Sequence, residues 1–192
     1  MIGSVCVFCG SKMGGDPAYA RAAERLGILL AESGIGLVYG GGRIGLMGVV
    51  AQAVMRAGGQ VSGVIPDFLI KLEVADTGIT DLVVVDSMHE RKRRMFDLAD
   101  GFVILPGGIG TLDETFEIVS WKQLRQHSKP IVVLNINGYW SPFADLIRAI
   151  VAGGFAHAAV ADLFSLVERP EDVIAALRAA PEVNEEVLTS HL

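Results

Sequence analysis

One stretch decides the fold of this chain: residues 101–114 read GFVILPGGIGTLDE. Its first part is almost continuously apolar, which is typical of a strand buried on both faces of a parallel sheet. A Pro-Gly-Gly turn ends the strand, and the spacing that follows predicts a helix over residues 111–124. Glycines let backbone N–H groups approach an anion, and the start of a helix adds positive potential. The stretch therefore predicts a strand, an anion-binding turn and a helix in succession.

The same alternation of strand and helix extends over the rest of the chain. Between the third and fourth strands, residues 67–80 are irregular. The predicted strands are 4–8, 35–39, 60–65, 81–85, 101–105, 131–135 and 163–167, and the predicted helices are 17–33, 45–57, 88–99, 111–124, 142–152 and 171–179. Such alternation requires right-handed crossovers and a parallel sheet. We therefore predict an α/β fold over residues 1–180, a single-domain Rossmann-like, doubly wound parallel sheet with helices on both faces, followed by a polar C-terminal tail at 181–192.

The composition argues against binding to nucleic acids or membranes. The chain has 192 residues, of which 16 are basic and 22 acidic, and its formal net charge is −6. Proteins that bind nucleic acids or anionic membranes usually carry an excess of positive charge. No uncharged apolar run reaches the ~18 residues of a membrane span, and the first residues carry no basic leader. We therefore expect a soluble, cytoplasmic protein.

The two cysteines, Cys6 and Cys9, form a C-x-x-C pattern that can indicate a redox pair. However, Cys6 lies within the apolar strand 4–8, and free cysteines are often buried. We therefore favour two reduced thiols in or near the core. The histidines are scattered along the chain without the spacing of metal ligands, so the sequence predicts no metal site.

A second glycine-rich turn, GGGRIG at 40–45, follows the second predicted strand and opens a helix. It matches the G-x-G-x-x-G pattern of dinucleotide-binding proteins, and Asp67 lies near the end of the next strand. The pattern nevertheless falls on the second strand rather than the first, and a glycine-rich chain produces it easily by chance. Three interpretations stay open: binding of NAD or FAD, close approach to a smaller phosphate ligand, and a purely structural turn.

The charged residues near the 106–110 turn also permit more than one interpretation. Glu114 follows Thr111 at the spacing of a helix capping box, but its carboxylate could equally address ribose hydroxyls or an attacking water. Arg91 to Arg94 are four successive cations in the preceding predicted helix. Because successive residues spread around a helix, these cations either form a solvated face or send one or two members into the ligand cleft.

Together these elements resemble the LONELY GUY (LOG) family, the cytokinin-activating phosphoribohydrolases. The resemblance covers nearly the whole chain. It rests on VCVFCGS at 5–11, GGGRIGLMG at 40–48, MHERK at 88–92 and PGGxGTxxE at 106–114, together with Trp121, Asn135, Gly138 and Tyr139. It implies a Rossmann-like homodimer that cleaves N6-substituted adenosine 5′-monophosphates, and often AMP, without a cofactor or a metal.

The resemblance also implies roles for individual residues. Arg91 and Glu114 match the catalytic pair of the family. The implied substrate contacts are Glu73, Arg91, Lys92, Gly107, Gly108, Ile109, Gly110, Thr111, Leu112 and Asp113. Members of the family have often been labelled lysine decarboxylases, but nothing in this chain resembles a pyridoxal-phosphate site.

The expected chemistry is hydrolysis of the N-glycosidic bond, which releases the free base and ribose 5-phosphate. Cleavage develops positive charge at C1′, so a carboxylate such as Glu114 can stabilise the transition state. Arg91 is too basic to be a general acid, and we expect it to hold the phosphate or ribose, or to stabilise charge on the departing purine. The alternatives are a non-catalytic nucleotide-binding or carrier protein of the same superfamily and an NAD-dependent oxidoreductase.

Overall fold

The structure is a computed structural model that describes residues 2–179. The predicted tail at 181–192 lies outside the described residues. The strands are Ser4–Phe8 (β1), Gly36–Tyr39 (β2), Val61–Pro66 (β3), Asp81–Val85 (β4), Gly101–Ile104 (β5), Ile131–Leu134 (β6) and Ser165–Val167 (β7). The α-helices are Pro17–Glu32 (α1), Gly45–Arg56 (α2), Met88–Leu98 (α3), Ile109–Gln123 (α4), Ser141–Ala152 (α5) and Pro170–Ala179 (α6).

The seven strands form one parallel sheet in the order β4-β3-β2-β1-β5-β6-β7. The chain first builds outward from β1 to β4, then returns to place β5 on the other side of β1. In open α/β sheets, ligands bind at such a reversal point, beyond the carboxyl ends of the strands. The predicted fold class is therefore confirmed, and the ends of β1 and β5 are where a site is expected.

Helices cover both faces of the sheet. Along β1, Val5 and Val7 pack with residues of α1, α2 and α6, whereas Cys6 and Phe8 pack with residues of α3, α4 and α5. Side chains alternate between the two faces of a strand, so this double burial explains why the strands are apolar at nearly every position. Within residues 2–179, no helix is both long enough and apolar enough to cross a membrane.

Two local predictions were wrong, and both errors concern element boundaries. Helix α4 begins at Ile109 rather than near Thr111, directly after the glycine pair. The last strand is Ser165–Val167, and the residues before it form a 3₁₀ turn, Ala158–Leu163. Leu163 is apolar because it packs in the core from this turn, and not because it belongs to a strand. Part of the irregular segment 67–80 also forms a 3₁₀ turn, Asp67–Leu69.

Candidate active site

A cavity of about 480 Å³ opens beyond the carboxyl ends of β1 and β5. Its wall includes the segment after each of these strands and the first turn of α4. Among the residues predicted from the sequence, the cavity is lined by Glu73, Arg91, Gly107, Gly108, Ile109, Gly110, Thr111, Asp113 and Glu114. Lys92 and Leu112 lie outside this lining. The structure thus brings together predicted residues from three separate parts of the chain.

The glycine turn presents the start of α4 to this cavity. Gly108 is the N-cap residue and has no side chain with which to cap the helix, so the first amides of α4 are available to an anion. A Cβ atom at Gly107 would lie 2.1 Å from the Thr111 hydroxyl oxygen, and only glycine allows the turn to pack this closely. Thr111 lies inside the first turn of the helix, so the capping-box interpretation of Glu114 was wrong.

Arg91 enters the cavity wall from α3 and is almost fully buried. Its Nε donates to the Val64 carbonyl at 3.1 Å, and its Nη2 donates to the Gly40 carbonyl at 2.6 Å and to Glu73 Oε2 at 2.8 Å. Among the residues that the structure describes, the Nη1 atom has only the weak acceptor Met88 Sδ, 3.8 Å away. Three strong acceptors therefore hold the guanidinium group rigidly and leave its Nη1 hydrogens available to a ligand.

The GGGRIG turn makes room for Arg91 and for its support. A Cβ atom at Gly40 would lie 2.2 Å from Arg91 Nη2, and one at Gly42 would lie 3.1 Å from the Cβ atom of Glu73. The amide of Arg43 donates to the carbonyls of Glu73 and Val74. In a dinucleotide-binding turn, the second glycine lets a pyrophosphate approach the backbone. Here the chain itself fills that space, which argues against the NAD or FAD interpretation.

Glu114 faces the same cavity from α4 in a half-buried position. Burial raises the pKa of its carboxyl from 4.5 to about 7. The positive charge of Arg91 opposes this increase, while the negative charges of Asp113 and Glu73 add to it. At neutral pH the side chain therefore populates both its protonated and its ionised form, which suits a group that exchanges protons.

The remaining cations of the 91–94 run do not line the cavity. Lys92 forms ion pairs of 3.1 Å with both Asp113 and Glu117 of α4. Desolvation acts to lower the pKa of Lys92, but the hydrogen bonds to these two carboxylates outweigh it and raise the pKa. Arg93 pairs with Asp97 at the surface, and Arg94 is exposed. Lys92 thus joins α3 to α4 next to the catalytic candidates.

Several lining residues were given no role by the sequence argument. Four methionines contribute to the wall, Met13, Met47, Met88 and Met95, together with Cys9, Tyr19 and Tyr139. The motif at 5–11 and the Gly138-Tyr139 pair were part of the family resemblance and could have suggested two of these positions. Met47 and Met88 likewise lie within the GGGRIGLMG and MHERK motifs of that resemblance. Met13, Tyr19 and Met95 carried no such signal, because they belong to segments that the chain brings together only on folding.

Both cysteines are free thiols with buried side chains. Burial is the main cause of the increase in pKa at each thiol, and the negative charge of Glu114 adds to it. A thiol with a raised pKa is a poor nucleophile at neutral pH. The expectation of two thiols in or near the core is confirmed, and Cys9 borders the cavity.

Comparison with known families links the chain to named hydrolases. A family model described as "possible lysine decarboxylase" matches residues 47–177. The cytokinin riboside 5′-monophosphate phosphoribohydrolase of Rhodococcoides fascians is 43% identical over 177 residues, which cover 92% of this chain and 89% of that protein. The rice (Oryza sativa subsp. japonica) phosphoribohydrolase LOG is 48% identical over 151 residues, which cover 79% of this chain and 62% of the rice protein.

Solved structures with the same fold carry other functions. The molybdenum cofactor carrier protein of Chlamydomonas reinhardtii superposes with a TM-score of 0.70 at 21% identity, covering 91% of this chain and 95% of that one. The molybdenum cofactor binding protein of Rippkaea orientalis gives a TM-score of 0.68 at 20% identity, covering 92% and 95%. At this identity the likeness shows the fold alone. The family model and the sequence relatives decide the assignment: the chain belongs to the LOG family of cytokinin riboside 5′-monophosphate phosphoribohydrolases.

Proposed function

We propose that this protein hydrolyses the N-glycosidic bond of AMP and of N6-substituted adenosine 5′-monophosphates, releasing the free base and ribose 5-phosphate. One observation carries the proposal: a single cavity holds the amide-rich start of α4, the buried Arg91 and the half-buried Glu114. The names of the sequence relatives, phosphoribohydrolases of cytokinin riboside 5′-monophosphates, support the same reaction.

In this proposal the 5′-phosphate binds at the start of α4. The glycines at 107, 108 and 110 leave the backbone accessible, and the helix dipole favours an anion there. Lys92 holds Asp113 and Glu117 in ion pairs, which keeps their negative charges partly neutralised close to the bound phosphate. Binding of this remote group orients C1′ for reaction.

The chemistry then falls to Glu114 and Arg91. As the bond from C1′ to the base nitrogen breaks, ionised Glu114 stabilises the positive charge at C1′ and accepts a proton from the attacking water. The water oxygen bonds to C1′, and the proton passes to the departing base. A carboxyl whose pKa is about 7 can both accept and release that proton at neutral pH. Arg91 uses its Nη1 hydrogens to bind the substrate or the departing base.

A carrier protein that only binds nucleotides is the second candidate, because the carrier structures share the fold. A carrier would need the glycine turn but would have no use for a carboxyl with a raised pKa beside a buried arginine. Within residues 2–179, the single lysine in the lining of the cavity is Lys12, in an exposed turn. The cavity therefore gives no support to the label "lysine decarboxylase".

We also propose that the protein is a homodimer that acts in the cytoplasm. A groove beside the glycine turn is lined by Ile109, Leu112, Phe116, Phe143 and Leu146, and Ile109 is 82% exposed. Apolar surface of this kind is typical of interfaces. Light scattering that gives a mass near the 20.4 kDa of one chain would contradict the dimer. The two free thiols fit a reducing compartment, and cell fractionation tests the location.

The decisive experiment incubates the purified protein with AMP, N6-isopentenyl-AMP and adenosine and measures free base by chromatography. We expect both nucleotides to be cleaved without added metal or cofactor and adenosine to be a poor substrate. Activity that EDTA abolishes and zinc or magnesium restores would refute the proposed mechanism. Cleavage of adenosine as efficient as that of AMP would refute the phosphate site, and tight nucleotide binding without any cleavage would favour the carrier.

A further inference from the structure

The loop between β6 and α5 contacts the glycine turn through one side chain. The Tyr139 hydroxyl donates a hydrogen bond to the Gly107 carbonyl oxygen at 2.6 Å. Tyr139 lines both the active-site cavity and the apolar groove beside it, as do Gly107, Gly108 and Ile109. The predicted site residues do not include Tyr139, and the reaction described above makes no use of it.

The backbone of this loop is fixed by its own polar side chains. The buried Asn135 accepts a hydrogen bond from the Trp140 amide at 2.6 Å and donates to the Ser141 hydroxyl at 3.3 Å. Asn137 has a positive φ of 49°, and its side chain donates to Asp16 Oδ2, at the N-cap of α1, at 2.8 Å. The loop is therefore hydrogen-bonded both to the start of α5, which follows it, and to the N-cap of α1, on the other face of the sheet.

The ring of Tyr139 is held in place by two aromatic neighbours. It meets Tyr19 edge-on with ring centroids 5.3 Å apart, and it meets Trp140 edge-on at 4.9 Å. Edge-to-face aromatic contacts of this kind restrict the orientation of a ring. The hydroxyl consequently reaches Gly107 from a fixed position and does not depend on a freely rotating side chain.

A hydrogen bond to the Gly107 carbonyl also determines where the next amide points. The peptide group is planar, and in its trans form the carbonyl of Gly107 and the N–H of Gly108 point in opposite directions. The bond to Tyr139 therefore fixes the Gly108 N–H on the side away from the tyrosine. A carbonyl that accepts a hydrogen bond also polarises its peptide, which makes the N–H a better donor. With glycine on both sides of this peptide, steric hindrance from Cβ atoms does little to oppose its rotation.

We propose that Tyr139 is a positioning residue for the phosphate-binding turn. Its hydroxyl holds the Gly107–Gly108 peptide in the orientation that directs the amides at the start of α4 to the 5′-phosphate. This inference rests on the proposed function. At saturating AMP the phosphate of the variant is still bound and still orients C1′, so losing the tether weakens binding and raises KM while kcat stays nearly constant.

The test is Tyr139→Phe, which keeps the ring contacts and removes only the hydroxyl. Tyr39→Phe is the matched control, because the Tyr39 hydroxyl is buried, has no hydrogen-bond partner within residues 2–179 and is not part of the cavity lining. Calorimetry measures the affinities for AMP, adenosine and inorganic phosphate with each tyrosine variant combined with Glu114→Gln, which slows cleavage, and kcat is measured with Glu114 intact. The loss of one hydrogen bond corresponds to roughly three- to tenfold weaker binding.

We expect Tyr139→Phe to weaken binding of AMP and inorganic phosphate by about that factor, and to change adenosine affinity and kcat by less than about twofold. Tyr39→Phe should leave all these quantities unchanged. AMP affinity within twofold of the wild type, or an equal loss for AMP and adenosine, would overturn the inference. Because these affinities are measured in the Glu114→Gln background and with inorganic phosphate, neither of which depends on turnover, a wild-type protein that binds AMP and does not cleave it would refute the proposed function and leave this inference standing.

Discussion

Replacing Glu114 with glutamine should make the protein more stable and far less active. The half-buried carboxyl has its pKa raised from 4.5 to about 7, so the folded protein holds its proton where the unfolded chain has already lost it. Between these two values the unfolded state binds fewer protons, and the free energy of unfolding therefore decreases as the pH rises. Glutamine keeps the size of the side chain and removes the ionisation.

The size of the effect follows from the pKa. The pKa of Glu114 differs by about 2.5 units between the folded and unfolded states, at about 1.4 kcal/mol per unit. The ionisable carboxyl therefore lowers the free energy of unfolding by roughly 3 kcal/mol at pH 8. At pH 5.5, which is only about one unit above the unfolded pKa, the loss is about half as large. For a chain of this length we expect the melting temperature of Glu114→Gln at pH 8 to increase by roughly 6–12 °C. Glu32→Gln, at an exposed position at the end of α1, is the control and should change it little.

Thermal melts and urea titrations at pH 5.5 and pH 8 measure this directly, and initial-rate kinetics on the same samples measure kcat. Loss of the charge that stabilises C1′ should lower kcat by on the order of 100-fold or more while AMP still binds at the glycine turn. Equal stability of the wild type and Glu114→Gln at both pH values would show that the pKa is not raised. A fully active variant would remove Glu114 from the mechanism.

Three further predictions concern the same cavity. At AMP concentrations far below KM, kcat/KM of the wild type should rise with pH through an apparent pKa near 7, because ionisation of Glu114 in the free protein increases there. Glu114→Gln should abolish this dependence, and a limb near pH 4.5 would contradict the burial argument. Gly40→Ala places a Cβ 2.2 Å from Arg91 Nη2 and should greatly lower kcat/KM. Gly15→Ala is the control and should leave kcat/KM unchanged, because its Cβ would have no heavy-atom neighbour within 4 Å. Equal activities of the two variants would refute the packing role of Gly40. Arg91→Ala should lower kcat on the order of 100-fold. It should also destabilise the protein, since Glu73, whose side chain is 18% exposed, loses its ion-pair partner. Melting temperatures and kinetics that match the wild type would refute both the catalytic and the structural role of Arg91.

The fold and the position of the site could be predicted from local sequence. Apolar strands separated by Gly, Pro and helical patterns required a doubly wound parallel sheet, because only double-sided burial explains strands such as 101–104 that are apolar throughout. The glycine turn after that strand also predicted where an anion could bind. Element ends were less certain: the start of α4 was misplaced by two residues, which is enough to turn Thr111 from a capping residue into a member of the first turn.

Tertiary structure alone decided what each polar side chain does. The charge pattern by itself could not tell which member of the run 91–94 enters the cavity, and only the family resemblance pointed to Arg91. The reason is that its placement depends on the carbonyls of Gly40 and Val64, which reach Arg91 from distant parts of the chain. Nor could it predict the pKa of Glu114, which is a property of the desolvated space around the carboxyl. Hydrophobic pattern and turn chemistry are local and are written in consecutive residues. Burial, charge environment and orientation arise only when remote segments meet, and for this protein they determine the chemistry of the site.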